Sequence, residues 1–424
     1  MPRHQDLKAR PAAAPSPRIL LSEGSSLSAR ETITALGLAG RRVEIMSSDP
    51  LCLGRFSRFV DHIHPCPAAG ADPEGYLTAV LEVLARREID VLLPTHEQAY
   101  LFSAAHHRLP PGLGTALASF AAFEQVQGKV ALTRLLDRLA VPQPRTEVIG
   151  SAAELAATRT FPFFVKTDCG TASTAVWRVA DDEARGRLGL DLQAAGAFAN
   201  GVVAQAPVNG ALERLQAVFD QGRLVACHAY RQIAEGPGGG DVLKMSVRRP
   251  EARDHVARIG AELAWHGALS FDYMLDADSG RPQFIDANPR LVEPMNAWLS
   301  GVDLAGALLE VSLGRAPAAQ ADGREGVVTR LGLMGLMEAA RRRGRRTDIL
   351  TSMFAMAAGA GRFRGSVEEL VPLSHDPLCA IPLGMVLAEL LASPAKAWII
   401  PGRTIEAYSL TPTAMAEIRA WAAP

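Results

Sequence analysis

The sequence predicts an α/β protein that opens on a doubly wound parallel sheet, continues into antiparallel α+β segments and ends in a mainly helical stretch. Three observations carry this. Short apolar strands alternate with helical segments over the first hundred residues, which is the rhythm of βαβ units. Period-two alternation returns in pairs around turn residues farther on, as in hairpins. The last hundred or so residues are rich in Ala and Leu at helical spacing.

Residues 1–17 are basic and rich in Pro and Ala, without the apolar core of a signal peptide, and read as a disordered leader. The first domain, 18–118, places strands at 18–21, 43–46 and 89–94 and helices at 28–38 and 76–87. Its first turn, Glu23-Gly24-Ser25-Ser26, lacks the G-x-G-x-x-G of a dinucleotide site. Thr95, His96 and Glu97 lie just past the carboxyl end of a strand, where such sheets bind ligands. A polar loop with a helix cap explains them equally well.

A second region spans 119–314. Lys129 opens an amphipathic helix to 139, ended by Val141-Pro142-Gln143-Pro144. Strand 163–166 is apolar but ends on Lys166. Gly170, Ser173 and Thr174 form a small-residue loop before a return strand at 175–179, and such a loop can bring backbone N–H groups to phosphates. Strand 202–210 and a strand pair at 214–219 and 223–230 follow. The glycines of 235–241 suit either a phosphate-following loop or a linker. Lys244, Ser246 and Arg248 alternate and share a face, and a helix at 253–265 leads into the hairpin 270–275/282–288. There Asp286 and Asn288 share one face, with Asp272 on the partner strand between Phe271 and Tyr273, which should face the opposite side. Two carboxylates and an amide oxygen are hard donors suited to Mg²⁺ held with substrate phosphates. Arg290 is a fixed cation for a developing anion. A solvated acidic hairpin is the alternative. A helix at 297–313, a solvated basic helix end at 341–346 and a buried packing helix at 380–391 complete the chain.

The run IDANPR, with SFDY upstream, resembles the metal-binding end of the ATP-grasp superfamily, I-[DE]-x-N-x-R. The resemblance covers about 120–314 and implies a Rossmann-like pre-ATP-grasp domain, an ATP-grasp domain of two α+β subdomains, and a mainly helical C-terminal extension at 315–424. It implies ATP with Mg²⁺ or Mn²⁺ as cofactors, the metal on Asp272, Asp286 and Asn288. Lys129, Lys166, Gly170 and Ser173 would meet nucleotide phosphates, and Gln205, Ala206 and Val208 the adenine. Glu213 would meet the ribose. Arg290 would stabilise an acyl phosphate, and Lys244 or Arg248 would meet phosphate or the substrate carboxylate. The chain departs from the family pattern at Thr167, Ala175, Gln205 and Leu212. The implied reaction joins a carboxylate to an amine, both small molecules of amino-acid or peptide type. Bicarbonate or formate activation and a non-catalytic nucleotide-binding module remain as alternatives.

Composition is that of an ordinary globular protein: 424 residues, 48% hydrophobic and 21% charged. A net charge of −1, from 44 basic and 45 acidic residues, gives no global pull towards nucleic acid or membrane. Five scattered cysteines, Cys52, Cys66, Cys169, Cys227 and Cys379, argue for a reducing compartment and against structural zinc, so a cytoplasmic location is expected. The resemblance leaves oligomeric state open, a homodimer being common among similar proteins.

Overall fold

The computed structural model describes residues 16–158, 160–168, 170 and 175–422. Strands β1 (Ile19–Leu21), β2 (Val43–Ser47), β3 (Val60–Pro65) and β4 (Val91–Leu93) form a parallel sheet in the order β3-β2-β1-β4. Helix Leu27–Leu38 starts where Ser26 accepts the Ala29 N–H, and helix Pro73–Arg87 where Asp72 accepts that of Gly75, each supplying an orphan backbone donor with a partner. The sequence reading missed β3. It is an edge strand whose Asp61, His62 and His64 hide any apolar run.

A second sheet, antiparallel, takes the order β5-β8-β6-β7 from β5 (Thr146–Ile149), β6 (Phe163–Thr167), β7 (Val176–Val179) and β8 (Val202–Gln205). Its inner face closes a small core around Leu155, Val165 and Val202.

The central sheet has seven strands: β9 (Gly210–Asp220), β10 (Arg223–Glu235), β11 (Asp241–Val247), β12 (Gly267–Asp276), β13 (Pro282–Asn288), β14 (Val328–Arg330) and β15 (Val367–Glu368), ordered β13-β12-β9-β10-β11-β14-β15. One face packs Leu215, Ala217, Phe219, Phe271, Tyr273 and Phe284 under helix Pro250–Glu262. β12 must begin with glycine. Gly267 has φ +106°, and a Cβ there would sit 2.3 Å from the Ala116 carbonyl oxygen.

Three expectations for the later chain are corrected. The single helix at 297–313 is two, Met295–Ser300 and Leu304–Ser312, broken at Gly301 with φ +96°. The helical extension also contributes β14 and β15 to the central sheet. Helix Ala380–Ala392 is half-exposed rather than buried, with Leu390 alone of its residues fully covered. The basic run is a solvated helix end as expected: the otherwise buried helix Gly332–Arg343 stops at Gly344 in the left-handed region.

The extension is bound into the first domain. Asp376 is wholly buried, pairs with Arg30 at 2.9 Å and accepts from the Ser57 hydroxyl and the Arg58 N–H. Met415 and Ile418 join the core beneath the first sheet. Among the described residues no helix is long and apolar enough to cross a membrane.

Candidate active site

The hairpin β12–β13 pairs Asp272 with Asp286 and Ser270 with Asn288, and a register shift after Asp272 loosens the strands there. This register puts both carboxylates and the amide on one face, as alternation requires. β9 runs along the other edge of β12 and sets Arg214 opposite Asp272. The Arg214 guanidinium donates to both Asp241 oxygens at 2.7 and 2.8 Å, and its Nε lies 3.3 Å from Asp272 Oδ1. That approach lacks hydrogen-bond alignment, so Oδ1 is buried without a hydrogen-bond partner among the described residues. Burial raises the Asp272 carboxyl above its ordinary range, with Arg214 opposing. An orphaned, desolvated carboxylate oxygen beside a second carboxylate fits a divalent cation.

Two lysines approach from the neighbouring segments. Lys129, at the start of its helix, is buried and reaches Asp286 Oδ1 at 3.1 Å. Lys166, at the end of β6, donates to the Ile285 carbonyl at 2.8 Å. Burial pushes its pKa down to about 8, aided by Lys129 and opposed by Asp286 and Asp272. Arg290 donates to the Asn288 side chain and the Ser28 hydroxyl, each at 3.3 Å.

One cleft therefore gathers Lys129, Gly170, Asp286, Asn288 and Arg290, with His96 and Glu97 from the first domain on its opposite wall. Gly170 has no alternative here, because a Cβ would lie 2.2 Å from that of Ala175. His96 is buried, which holds its imidazole well below the usual range and neutral, and the Arg290 charge acts in the same direction. Ser173 lies outside the described residues.

Other expected site residues stand elsewhere. Lys244 is wholly buried, its ammonium 2.6 Å from Glu293 and 2.8 Å from Glu369. Oxygens of Glu31, Glu293 and Glu369 converge within 4.8 Å, and Lys244 is the cation their charge requires. It is thus an internal counter-ion, not a group presented to phosphate. Arg248 lies beyond Ser246, donates to the Gly323 carbonyl and lines a separate cavity. Glu213 is also fully buried, shared between Arg231 and Arg249 and accepting from the Tyr273 hydroxyl. It faces away from Arg214 on the same strand, so the ribose role is corrected. Gln205 donates to the Thr146 hydroxyl. The Ala206 N–H is committed to the Arg145 carbonyl, leaving only its carbonyl for a ligand. Val208 follows, half-buried, in the connection to β9.

Several residues around the cleft escaped the sequence reading. Glu23 is buried and accepts from the N–H groups of Ser25 and Ser26; burial raises its carboxyl, with those bonds and the Arg290 charge opposing. Tyr408 of the extension stacks on His96 at 4.1 Å between ring centres. Arg214 could have been found by laying β9 against β12. Nothing local marks Tyr408, which is brought in by tertiary folding alone.

The architecture matches solved structures across most of the chain. The biotin carboxylase domain of 2-oxoglutarate carboxylase from Hydrogenobacter thermophilus, in complex with MgADP, ADP and bicarbonate, aligns with TM-score 0.60 at 15% identity over 73% of each chain. An L-amino acid ligase from Bacillus licheniformis aligns at 0.54 and 17%, over 72% of this chain and 76% of that one. N5-carboxyaminoimidazole synthetase from Staphylococcus aureus, complexed with ADP, gives 0.57 and 13% over 74% and 83%. No family model and no curated protein matches the sequence. The chain has the ATP-grasp fold, behind a parallel-sheet first domain and before a largely helical C-terminus.

Proposed function

We propose that the protein is an ATP-dependent ligase that activates a carboxylate as an acyl phosphate and joins it to an amine, forming ADP. The observation that supports this most is the one cleft in which Asp286, Asn288 and Arg290 meet Lys129, with Lys166 on the Ile285 carbonyl and Asp272 opposite Asp286 just behind it. Asp272, Asp286 and Asn288 would hold Mg²⁺, which when bound neutralises phosphate charge during transfer. Lys129 and Lys166 bind the nucleotide phosphates, Lys129 exchanging its Asp286 partner for phosphate oxygens. A substrate carboxylate oxygen attacks the γ-phosphorus as the bond to the ADP oxygen breaks. The amine then attacks the acyl carbon, phosphate leaves, and the nitrogen loses a proton. Arg290 stabilises the anionic acyl phosphate and the tetrahedral oxyanion. His96, neutral and beside Arg290, can accept a hydrogen bond without adding charge.

The test is release of ADP and phosphate with ATP and Mg²⁺ across single and paired amino acids, bicarbonate and formate, with products weighed by mass spectrometry. Turnover that needs a carboxylate and an amine together, and that drops at least a hundredfold in Asp286→Ala and Arg290→Ala, is expected. Turnover on bicarbonate or formate alone would move the protein to carboxyl activation of that kind. Saturable ATP binding with no turnover over the whole panel would make it a binding module.

A further inference from the structure

The central sheet has a second cavity, apolar at its floor and cationic at its rim, on the face turned away from the hairpin cleft. Strand register separates the two faces. Tyr230 pairs with Arg214 and with Ser246 on the cleft side, whereas Ala229 pairs with Leu215 and with Val247 on the other. Leu215, Cys227, Ala229 and Val247 floor this cavity of about 240 Å³. Helix Pro250–Glu262 begins at its rim, and the segment 322–324 closes the far side.

Four arginines line it, Arg248, Arg249, Arg253 and Arg324, against one acid, Asp322. Arg249 is spent on Glu213, which it meets through two 2.8 Å bonds. The other three have no carboxylate at ion-pair distance among the described residues. Arg248 makes only 3.3 Å bonds to the Gly323 carbonyl, and Arg324 donates to the Leu299 carbonyl. The Arg253 Nε–H is buried with no hydrogen-bond partner there at all. The helix end adds positive potential. Its N-cap residue is Arg249, which makes no side-chain cap, and Pro250 follows at the first position. Cations at the positive end of a helix dipole repel it unless an anion sits between them, and a buried donor left unpaired is costly.

We propose that this cavity is a second anion site, taking a compact oxyanion of two or more negative charges, such as a phosphate or a small polycarboxylate. Guanidinium forks from Arg253, Arg248 and Arg324 would each offer paired donors to its oxygens. The site stands on its own geometry and does not depend on the ligase reading.

Calorimetric titration of the full chain with inorganic phosphate, pyrophosphate and citrate tests it, in wild type and in Arg253→Gln, Arg324→Gln and Arg290→Ala. Saturable binding of at least one probe is expected, kept in Arg290→Ala and weakened tenfold or more in Arg324→Gln and Arg253→Gln. Preference for pyrophosphate over citrate would assign a phosphate ligand, and the reverse a polycarboxylate. Arg324 is exposed, so its variant keeps the test decisive should Arg253→Gln fail to fold. Absence of saturable binding by all three probes overturns the proposal. So does binding that Arg290→Ala abolishes and Arg324→Gln leaves intact.

Discussion

Lys166 ends an otherwise apolar strand, and the cost of burying its ammonium gives the cleft a pH signature of its own. With the folded-state pKa near 8, the charged form is lost as pH rises through that value. The apparent second-order rate constant for ATP should therefore decline above about pH 8. A guanidinium stays charged, so Lys166→Arg should remove that limb, and a decline unchanged in the variant would assign it to another group. Stability should move the opposite way. Between about 8 and the ordinary lysine value near 10.5 the unfolded chain binds more protons than the folded one, so ligand-free stability rises with pH there. Asp272 carries the mirror-image cost. Its carboxyl is raised by burial, with Arg214 opposing, so keeping it ionised without a metal costs the fold stability. Asp272→Asn should raise the melting temperature of the metal-free protein by a few degrees while removing Mg²⁺-dependent turnover. A lower melting temperature would show that Arg214 needs the charge more than the fold is harmed by it.

Elements with local signatures were legible in the sequence, and those set by long-range pairing were not. The hairpin could be read because alternation and turn residues are local, and with it came the shared face of Asp286 and Asn288. Lys129 and Lys166 stand at element ends, where cleft residues of such folds gather. Lys244 was misplaced for a physical reason. Alternation correctly put it on the cleft side of β11, but its height above the sheet depends on Glu31, Glu293 and Glu369, which come from three distant segments. Glu213 failed likewise, since Arg231 and Arg249 reach it only once β9 and β10 pair. The Lys244 cluster makes its own prediction. Burial and the neighbouring Glu369 raise the Glu31 carboxyl well above its usual value, and burial raises Glu369 too, with the Lys244 ammonium opposing both shifts. Lys244→Met would strand buried carboxylates and should cost ~3–5 kcal/mol, read as a large fall in denaturant midpoint. A stably folded Lys244→Met that lost only turnover would return the lysine to the catalytic list.

At the scale of the molecule, the chain's last hundred residues bridge the first domain and the central sheet. β14 and β15 extend that sheet, Asp376 reaches the helix Leu27–Leu38 through Arg30, and Tyr408 covers His96 beside the cleft. The extension therefore backs the first domain's side of the site, and the Arg30–Asp376 pair is a buried joint between the two. Its side chains are 2% and 0% exposed, so removing one partner leaves a desolvated charge. Asp376→Ala should cost ~3–5 kcal/mol, and Arg30→Met with Asp376→Leu together should recover part of that loss, because an apolar pair avoids the desolvation penalty. Asp376 also accepts from Ser57 and Arg58, which limits how complete the recovery can be. Denaturant unfolding followed by tryptophan fluorescence gives both numbers, since Trp265 lies in the core shared by the first and central sheets and Trp398 in the extension. One transition in the wild type and two in Asp376→Ala would mean that this joint couples the extension to the rest. A single transition in both, with no loss of midpoint, would mean that the shared sheet alone does so.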